Sequence, residues 1–356
     1  MRIAWLAAVV LACAPMALAQ KAGSEAGGQS PAQATAGAID LRPRFEAGKE
    51  FRFTLEQAST TKRGAAPANK GRTPKTGKPG KTGMPDADAT SSTITMGLVM
   101  KVVKGGGDGD STVEFVIDAL KISVKGGEME TEFDSTKPAG DDDLIATMLK
   151  SLVGSSFTAT IDRTGNIKSV SGGEALAALG QLGGGGLSGL GGGAAGGGGG
   201  GFLGPIVNTG AGSGFARIGQ SWENSDAIGG GMLGPFKMVT KHTLASMRGK
   251  EAVVDFKGKL DAASEAPGSG GSGGGAQVRD TSYSGQYHWD TGEGMLKKMD
   301  STMRVTMETQ GEEQRELTTS EVKTTITRGT AGKSATRPAN RGNTPAGTTP
   351  SRQRRP

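Results

Sequence analysis

The chain has 356 residues and a formal net charge of +6, with 62 glycines and a single cysteine. One cysteine excludes a disulfide framework and a thiolate metal site. The length alone allows two domains, but glycine loses more backbone entropy on folding than any other residue. Glycine-rich segments that bury nothing therefore stay outside the core, and the remaining sequence is enough for one domain.

The N-terminus has the pattern of a secretory signal peptide. Arg2 precedes an apolar run, and Ala17 and Ala19 place small residues at the positions that signal peptidase reads before Gln20. We therefore predict that residues 1–19 are removed and that the mature chain is exported, to the periplasm or outside the cell.

Two further features of this run concern the membrane. Cys13 allows an alternative in which the chain is a lipoprotein, although Leu11 fits poorly at its place in the lipoprotein motif. The run is too short for an ordinary membrane span, and no later segment approaches the roughly 18 apolar residues that a spanning helix needs. We expect no transmembrane segment in the mature chain.

Segments of biased, low-complexity composition divide the rest of the sequence. We expect disorder where almost no apolar side chain is available to offset the loss of backbone entropy. These segments are residues 20–38, insertions near 60–90, 181–201 and 263–276, and the tail 329–356. The sequence from 39 to 328 is predicted to form a single β-rich domain around these insertions.

The positive charge is concentrated in two of these segments. Residues 62–83 carry seven cations and residues 329–356 carry six, and neither segment contains an acid. The remainder of the chain is therefore acidic, and we predict no specific nucleic-acid partner. Flexible basic arms can still hold an anionic polymer through weak, salt-dependent contacts.

Alternation of apolar and polar residues predicts β-strands with one buried face. The apolar parity changes near Asp118, which predicts a β-bulge, because one extra residue reverses the facing of every later side chain. The clearest alternating runs are residues 51–55, 94–102, 113–117, 120–124, 283–289, 299–307 and 322–326.

Two short helices are predicted. Asp141–Asp143 supply negative charge before apolar residues at helical spacing from Leu144 to Leu152, and Gly154 ends the pattern. A weaker helical pattern covers residues 174–179. The predicted fold is mainly β, an antiparallel, strongly curved sheet or an open barrel with one or two short helices.

Two turns and two strand beginnings resemble each other between the halves of the sequence. Asp162–Gly165 and Asp290–Gly292 each place an aspartate before a glycine that suits a left-handed position. Gly48 and Gly219 each stand three residues before an aromatic residue that opens a strand pattern. An internal duplication is one interpretation of this similarity.

Several short motifs resemble a known family. They are Leu41–Gly48, Phe133–Ser135, Leu152–Gly154, Asp162–Ile167 and Ile218–Trp222. In this order they are similar to a family of exported bacterial proteins without assigned function, common in planctomycete-type genomes. The resemblance implies a signal peptide, a single β-rich domain and no known catalytic residue.

The sequence contains no complete catalytic or metal-binding pattern. Asp290-Thr291-Gly292 is the triplet of aspartic proteases, but that chemistry needs a second carboxylate from a second such triplet, and the chain has one triplet. His242 and His288 are far apart and form no ligand-spaced pair. We predict no catalytic residue, metal or cofactor. An enzyme would require Asp290, His288 and another acid to converge in one cleft.

Methionine is the residue type in mild excess, with 14 in the chain. Methionines on inward-facing strand positions either fill a core that is poor in aromatic residues or line a cavity that adapts to an apolar ligand. The candidate cavity residues are Met96, Leu98, Met100, Phe115, Met303 and Val305.

These patterns favour a non-enzymatic protein of the cell envelope. The leading hypothesis is a protein that binds an apolar ligand, or a protein partner, through its sheet. The alternative is a structural or adhesive protein whose flexible basic arms hold anionic envelope polymers.

Overall fold

The structure is a computed structural model. It describes residues 37–65, 89–107, 109–126, 129–137, 144–172, 203–228, 236–262, 277–310 and 315–329. Contacts divide the chain into two units, residues 1–38 and 39–356.

Several sequence predictions concern residues outside the described ranges. They are the signal peptide with Ala17, Ala19 and Gln20, the lipoprotein alternative at Cys13, Asp141–Asp143, the helix near 174–179, the glycine-rich insertions, and the basic tail beyond Gly329.

Within the described ranges the chain forms fourteen strands and two helices. In chain order they are β1 Ile39–Asp40, β2 Glu50–Ala65, β3 Thr90–Lys104, β4 Ser111–Gly126, β5 Met129–Asp134, α1 Leu144–Leu152, β6 Ser156–Ile161, β7 Ile167–Ser171, α2 Gly204–Val207, β8 Phe215–Ala216, β9 Ser221–Ile228, β10 Phe236–Arg248, β11 Glu251–Ala262, β12 Gln277–Asp290, β13 Met295–Gln310 and β14 Arg315–Arg328.

Twelve of these strands form one antiparallel sheet, which confirms the predicted fold class. The order is β7-β6-β4-β3-β2-β14-β13-β12-β11-β10-β9, with β5 paired to the far part of β4. The sheet is open, since in the described part of the chain β7 and β9 end the order without pairing to each other. β1 and β8 form a separate two-stranded sheet.

One row of side chains shows which face of the large sheet is buried. Met96, Leu55, Ile326, Met299 and Tyr287 are successive cross-strand partners on β3, β2, β14, β13 and β12. All five are buried. We call the face that carries them the inner face and the opposite one the outer face.

The core lies on this inner face and is covered by short elements. Leu41 after β1 and Ile206 and Val207 of α2 are fully buried in the same cluster as the strand residues. Helix α1 adds Leu149 and Leu152. These short segments thus cover part of the inner face.

The bulge predicted near Asp118 is confirmed. Gly97 pairs with Ala119 and Leu98 pairs with Ile117, so Asp118 is the extra residue on β4. The change of facing lets both Ile117 and Leu120 enter the core, where each is at most 1% exposed.

The first predicted helix is also confirmed, as α1, and it ends as expected. Gly154 has a φ of +87°, a conformation that glycine adopts without steric cost. Its N–H donates to the carbonyl oxygen of Ile117 at 2.7 Å, which ties the end of α1 to β4.

The two strand beginnings share one hydrogen-bond pattern. Gly48 and Gly219 have φ values of +84° and +82°. Gly48 donates to Val102 at 2.8 Å and Gly219 donates to Leu244 at 2.7 Å, and each acceptor residue donates back to the residue after the glycine. This equivalence supports an internal duplication.

One turn matches its prediction and the other differs in detail. Asp162 accepts hydrogen bonds from the backbone N–H groups two and four residues later, and Gly165 is left-handed as expected. In the second turn Asp290 accepts from Gly292, but the left-handed residue is Gly294, with a φ of +60°. The turn is therefore two residues longer than the Asp-Thr-Gly pattern indicates.

Strand β2 is longer than its alternating pattern indicates. Residues 60–65, expected to begin a disordered insertion, pair with β14, and Arg63 lies opposite Thr318. The start of β9 at Trp222 was predicted, but β10 and β11 were not, because their polar inner positions, such as Thr240 and His242, mask the alternation.

Candidate functional site

Five rings gather on the inner face of β9 to β12. They are Trp222, His242, Phe256, Tyr283 and Tyr287. Strand register brings them together, because His242 lies opposite Trp222 on one side and Phe256 on the other. The rings of His242 and Trp222 are stacked at 5.7 Å with an angle of 7°.

Two titratable side chains of this aromatic cluster, His242 and Tyr287, are neutral at physiological pH. Burial lowers the pKa of His242 to about 4, and its Nδ1 atom is buried without a hydrogen-bond partner among the residues described. Burial raises the pKa of Tyr287 well above its usual value of 10. The Tyr287 hydroxyl donates to the carbonyl oxygen of Thr209 at 2.7 Å, and Trp222 Nε1 donates to the same oxygen at 3.3 Å.

The six candidate cavity residues do not form one surface. Met96, Leu98, Met100 and Phe115 are at most 1% exposed and belong to the packed core. The ring of Phe115 stacks on that of Phe157 at 5.1 Å. Met303 and Val305 are partly exposed and lie outside the core cluster.

Met303 and Val305 belong instead to a band of apolar side chains beyond the core. Met303 lies opposite Tyr283, and Met307 lies opposite Val278 on the same face. We call Val278, Tyr283, Met303, Val305 and Met307 the inner-face patch. All five are partly buried, and together with Thr281, which lies opposite Val305, they extend the core face of β12 and β13 towards solvent.

A polar pocket of about 300 Å³ lies between the β6–β7 turn, the loop from α2 to β8, and β9. We call it the asparagine pocket. Its polar side chains are Thr164, Asn166, Asn208, Glu223, Asn224 and Ser225, and residues 210–212 complete the wall.

Hydrogen bonds connect the walls of the asparagine pocket in series. Asn166 Nδ2 donates to Asp162 Oδ2 at 3.0 Å, and Asn208 Nδ2 donates to Asn166 Oδ1 at 3.0 Å. Gly210 N donates to Asn208 Oδ1 at 2.7 Å. The Asn224 amide, oriented to satisfy both its ends, donates to the Gly210 carbonyl at 2.8 Å. Three separate chain segments are thus fixed to each other.

Asp162 begins this series as a charged group. Although burial opposes ionisation, hydrogen bonds from Thr164 and Asn166 lower the pKa of Asp162. Both carboxylate oxygens already accept hydrogen bonds from these two residues, so the role of Asp162 is to hold the turn.

An enzyme would require Asp290, His288 and a further acid in one cleft, and Glu251 is the cross-strand partner of Asp290. His288 Nδ1 lies 2.7 Å from Glu251 Oε1, and Glu251 also pairs with Lys297. Hydrogen bonds from Lys297 and His288 lower the pKa of Glu251.

Asp290 itself is engaged in ion pairing and turn formation. Arg328 Nη2 lies 2.9 Å from Asp290 Oδ2 and Arg328 Nη1 lies 2.7 Å from Glu293. Although burial opposes it, the backbone N–H of Glu293 and the side chain of Arg328 lower the pKa of Asp290. A carboxylate held charged in this way differs from the proton-sharing pair of aspartic proteases.

Neither a metal-binding cluster nor a membrane-spanning helix is present in the residues that the structure describes. Within those ranges no group of three or more His, Cys, Asp and Glu residues is placed to hold a metal ion. No helix in the same ranges is long and apolar enough to cross a membrane.

Part of the chain is similar to one known protein family. Residues 108–179, from β4 to β7 and beyond, match a family of unknown function (DUF6263). This part of the chain includes three of the five motifs on which the sequence resemblance rests and one wall of the asparagine pocket. None of the curated proteins compared with the chain matches it.

Sequence reasoning missed both the aromatic cluster and the asparagine pocket. Each strand from β9 to β11 contributes a single ring, and only the register of the sheet reveals that the rings meet. The asparagines come from a turn, a loop and a strand that have no shared motif. One local sign points to a strand there: Trp222 and Asn224 stand two residues apart, so their side chains share one face of a strand.

Proposed function

We propose that the protein is an exported, non-enzymatic component of the cell envelope that binds an apolar ligand on the inner-face patch. The signal-like pattern of residues 1–19 supports export. The observation that carries the binding role is the continuation of the buried face of the sheet into the partly exposed side chains of Val278, Tyr283, Met303, Val305 and Met307.

The energetics of this surface favour an apolar occupant. Removing apolar surface from water stabilises a complex by about 25 cal/mol per Å², and flexible methionine side chains adapt to ligands of different shape. The adjacent aromatic cluster adds no charge that a ligand would have to desolvate, because His242 and Tyr287 are neutral at physiological pH.

A matched pair of substitutions tests this role. Val305 and Thr306 are neighbours on β13, both partly buried, and their side chains point to opposite faces of the sheet. We expect Val305→Asp to abolish binding of an apolar fluorescent probe and Thr306→Asp to leave it unchanged. Equal binding by both variants, with equal thermal stability, would contradict the proposal.

Native mass spectrometry of the protein purified from its own envelope fraction provides the second test. We expect an additional apolar mass that is lost on mild delipidation. A bare mass equal to the chain from Gln20 would overturn the ligand role. Polymer binding that disappears on deletion of residues 330–356 would then favour the adhesive alternative, since that segment carries six cations and no acid.

A further inference from the structure

The two halves of the sheet repeat one arrangement of strands. Across β3, β4, β6 and β7 the successive cross-strand partners are Val102, Val113, Ala159 and Val170. Across β10, β11, β12 and β13 they are Leu244, Val254, Tyr287 and Met299. Val102 and Leu244 are also the residues that bond to the matching glycines before β2 and β9. The five strands β2, β3, β4, β6 and β7 therefore correspond to β9, β10, β11, β12 and β13.

Strand β14 lies outside this repeat and joins its two ends. It pairs antiparallel with β13 on one side and with β2 on the other. The corresponding place lies between β7 and β9, and in the described part of the chain no strand occupies it. We call this place the strand slot. We propose that the strand slot binds an extended segment of a partner protein, which pairs antiparallel with β9 as β14 pairs with β2. This site is independent of the apolar ligand on the inner-face patch.

The edges of β7 and β9 stand close to each other without pairing. Asn166 directly precedes β7 and Asn224 lies in β9, and both line the asparagine pocket. A loop joins them, because Asn208 bonds to Asn166 and to Gly210, and the Asn224 amide bonds to Gly210. Two strands that flank a third are about 10 Å apart, which is too far for a direct main-chain bond. The asparagine side chains are already used in the loop, so an occupant of the slot has to be recognised by main-chain groups.

Strand β9 has such main-chain groups along its free edge. The main chain of Leu244 bonds to Gly219 and Gln220, and every second residue of an antiparallel strand bonds to a given neighbour. In the register of β9 with β10, the N–H and C=O groups of Glu223 and Ser225 therefore point away from β10. No other described residue bonds to the main chain of Ser225. An unpaired edge of this kind is a template for an added strand.

The walls of the slot define the side chains that an occupant needs. Val170 of β7 and Trp222 of β9 are partly buried and pack against the core, so the inner side of an added strand meets apolar surface. On the outer side Glu223 is exposed, and a cation opposite it is favourable. The partner segment should therefore alternate apolar and polar residues and carry positive charge. β14 has this pattern, with Val322 and Ile326 buried on its inner side and three cations against two acids.

Amide hydrogen exchange and fluorescence anisotropy test the proposal on the chain from Gln20. The probe is a labelled synthetic peptide that copies β14, residues 315–328. In the free protein we expect the N–H group of Ser225 to exchange at least tenfold faster than that of Asn224, which bonds to β10. The peptide should bind with micromolar affinity and slow the exchange at Ser225 at least tenfold.

A matched pair of substitutions at one position isolates the main-chain contact. Ser225→Pro removes the N–H group, and proline is tolerated on a free strand edge, so the peptide should bind at least tenfold more weakly. Ser225→Ala keeps the N–H group and should change the affinity less than twofold. If Ser225→Pro does not fold, Glu223→Pro replaces it, with Glu223→Gln as the control that also lacks the charge.

Three results would overturn the proposal. Slow exchange at Ser225 in the free monomer would show that another segment of the same chain fills the slot. Absence of peptide binding, or equal binding by a folded proline variant and its control, would show that no strand is added to β9. A dimer of the free protein that Ser225→Pro dissociates would identify a second copy of the chain as the occupant.

Discussion

The carboxylate of Asp118 occupies the space in which a side chain at position 97 would lie. A Cβ atom on Gly97 would stand 2.1 Å from Asp118 Oδ1, while Asp118 Oδ2 lies 3.0 Å from Arg52 Nη1. The bulge on β4 thus directs its extra side chain across β3 to an arginine on β2. Glycine at position 97 is what leaves room for this ion pair.

A double-mutant cycle measures that dependence. Gly97→Ala alone forces the carboxylate away from Arg52, so we expect no gain in the free energy of unfolding. In an Asp118→Gly background the same substitution should raise it by about 0.5–1 kcal/mol, the usual difference between Gly and Ala inside a strand. Urea denaturation should give a coupling of about 1 kcal/mol. Additive effects would show that the two positions do not compete for space.

His242 should make the protein less stable in acid. Its pKa is lowered by burial to about 4, against about 6.5 in the unfolded chain, so the unfolded state binds the extra proton between these values. The free energy of unfolding should therefore fall as the pH is lowered from 6.5 to 4, by up to about 3 kcal/mol from this group.

His242→Phe keeps the ring packing and removes the titration. We expect the variant to lose this part of the pH dependence in urea denaturation, and to be at least as stable as the wild type at pH 4. The substitution also removes the buried Nδ1 atom of His242, which has no hydrogen-bond partner among the described residues, and an unpaired buried polar group lowers the stability of the folded state. Parallel pH profiles for the two proteins would contradict the expectation.

Alanine substitutions at Met100 and Met303 should distinguish a core position from a position in the inner-face patch. Met100 is fully buried in the core, and Met100→Ala should cost about 2–5 kcal/mol of unfolding free energy. Met303 is partly exposed, and Met303→Ala should cost less than about 1 kcal/mol, because less apolar surface returns to water. Equal costs in thermal or urea unfolding would place Met303 in the core and weaken the ligand proposal.

Two left-handed glycines form a matched pair for backbone strain. Gly154 and Gly165 have φ values of +87° and +93°, so alanine at either position should cost about 1–2 kcal/mol. A Cβ atom on Gly154 meets nothing within 4 Å, whereas one on Gly165 would clash with the carbonyl oxygen of Val207.

Gly165→Ala should therefore cost about 1–3 kcal/mol more than Gly154→Ala, a typical penalty for overpacking. The comparison uses the difference in urea midpoints multiplied by the common slope. Similar losses in both variants would mean that the β6–β7 turn moves freely relative to α2, and that the wall of the asparagine pocket is not fixed by this contact.

Local patterns in the sequence were enough to predict much of the sheet. The alternation around Leu98 and Phe115 predicts strands because each apolar residue there reaches the core. The shift of parity at Asp118 predicts the bulge because the period of a strand is two. The aspartate at position 162 predicts its turn because its side chain bonds to backbone N–H groups close in sequence.

Features that depend on distant pairing could not be predicted in the same way. Met100 and Met303 have similar local patterns, yet one is buried and the other is partly exposed, because the short segments cover only part of the inner face. β1, α2 and β8 are too short to show any periodicity. The ring of His242 meets those of Trp222 and Phe256 only once the register of three strands is known.

The pairing of β2 with β14 has a consequence for how the chain folds. Strands β9 to β14 each pair with a neighbour in sequence, and so do β2, β3 and β4, whereas Leu55 meets Ile326 across most of the chain. Contacts between residues so far apart form slowly, because a long loop must first be closed. Each half can assemble early. The pairing of β2 with β14, near the middle of the strand order, then forms last. Until β14 is made, the edge of β2 that it covers stays unpaired, and an unpaired edge invites aggregation.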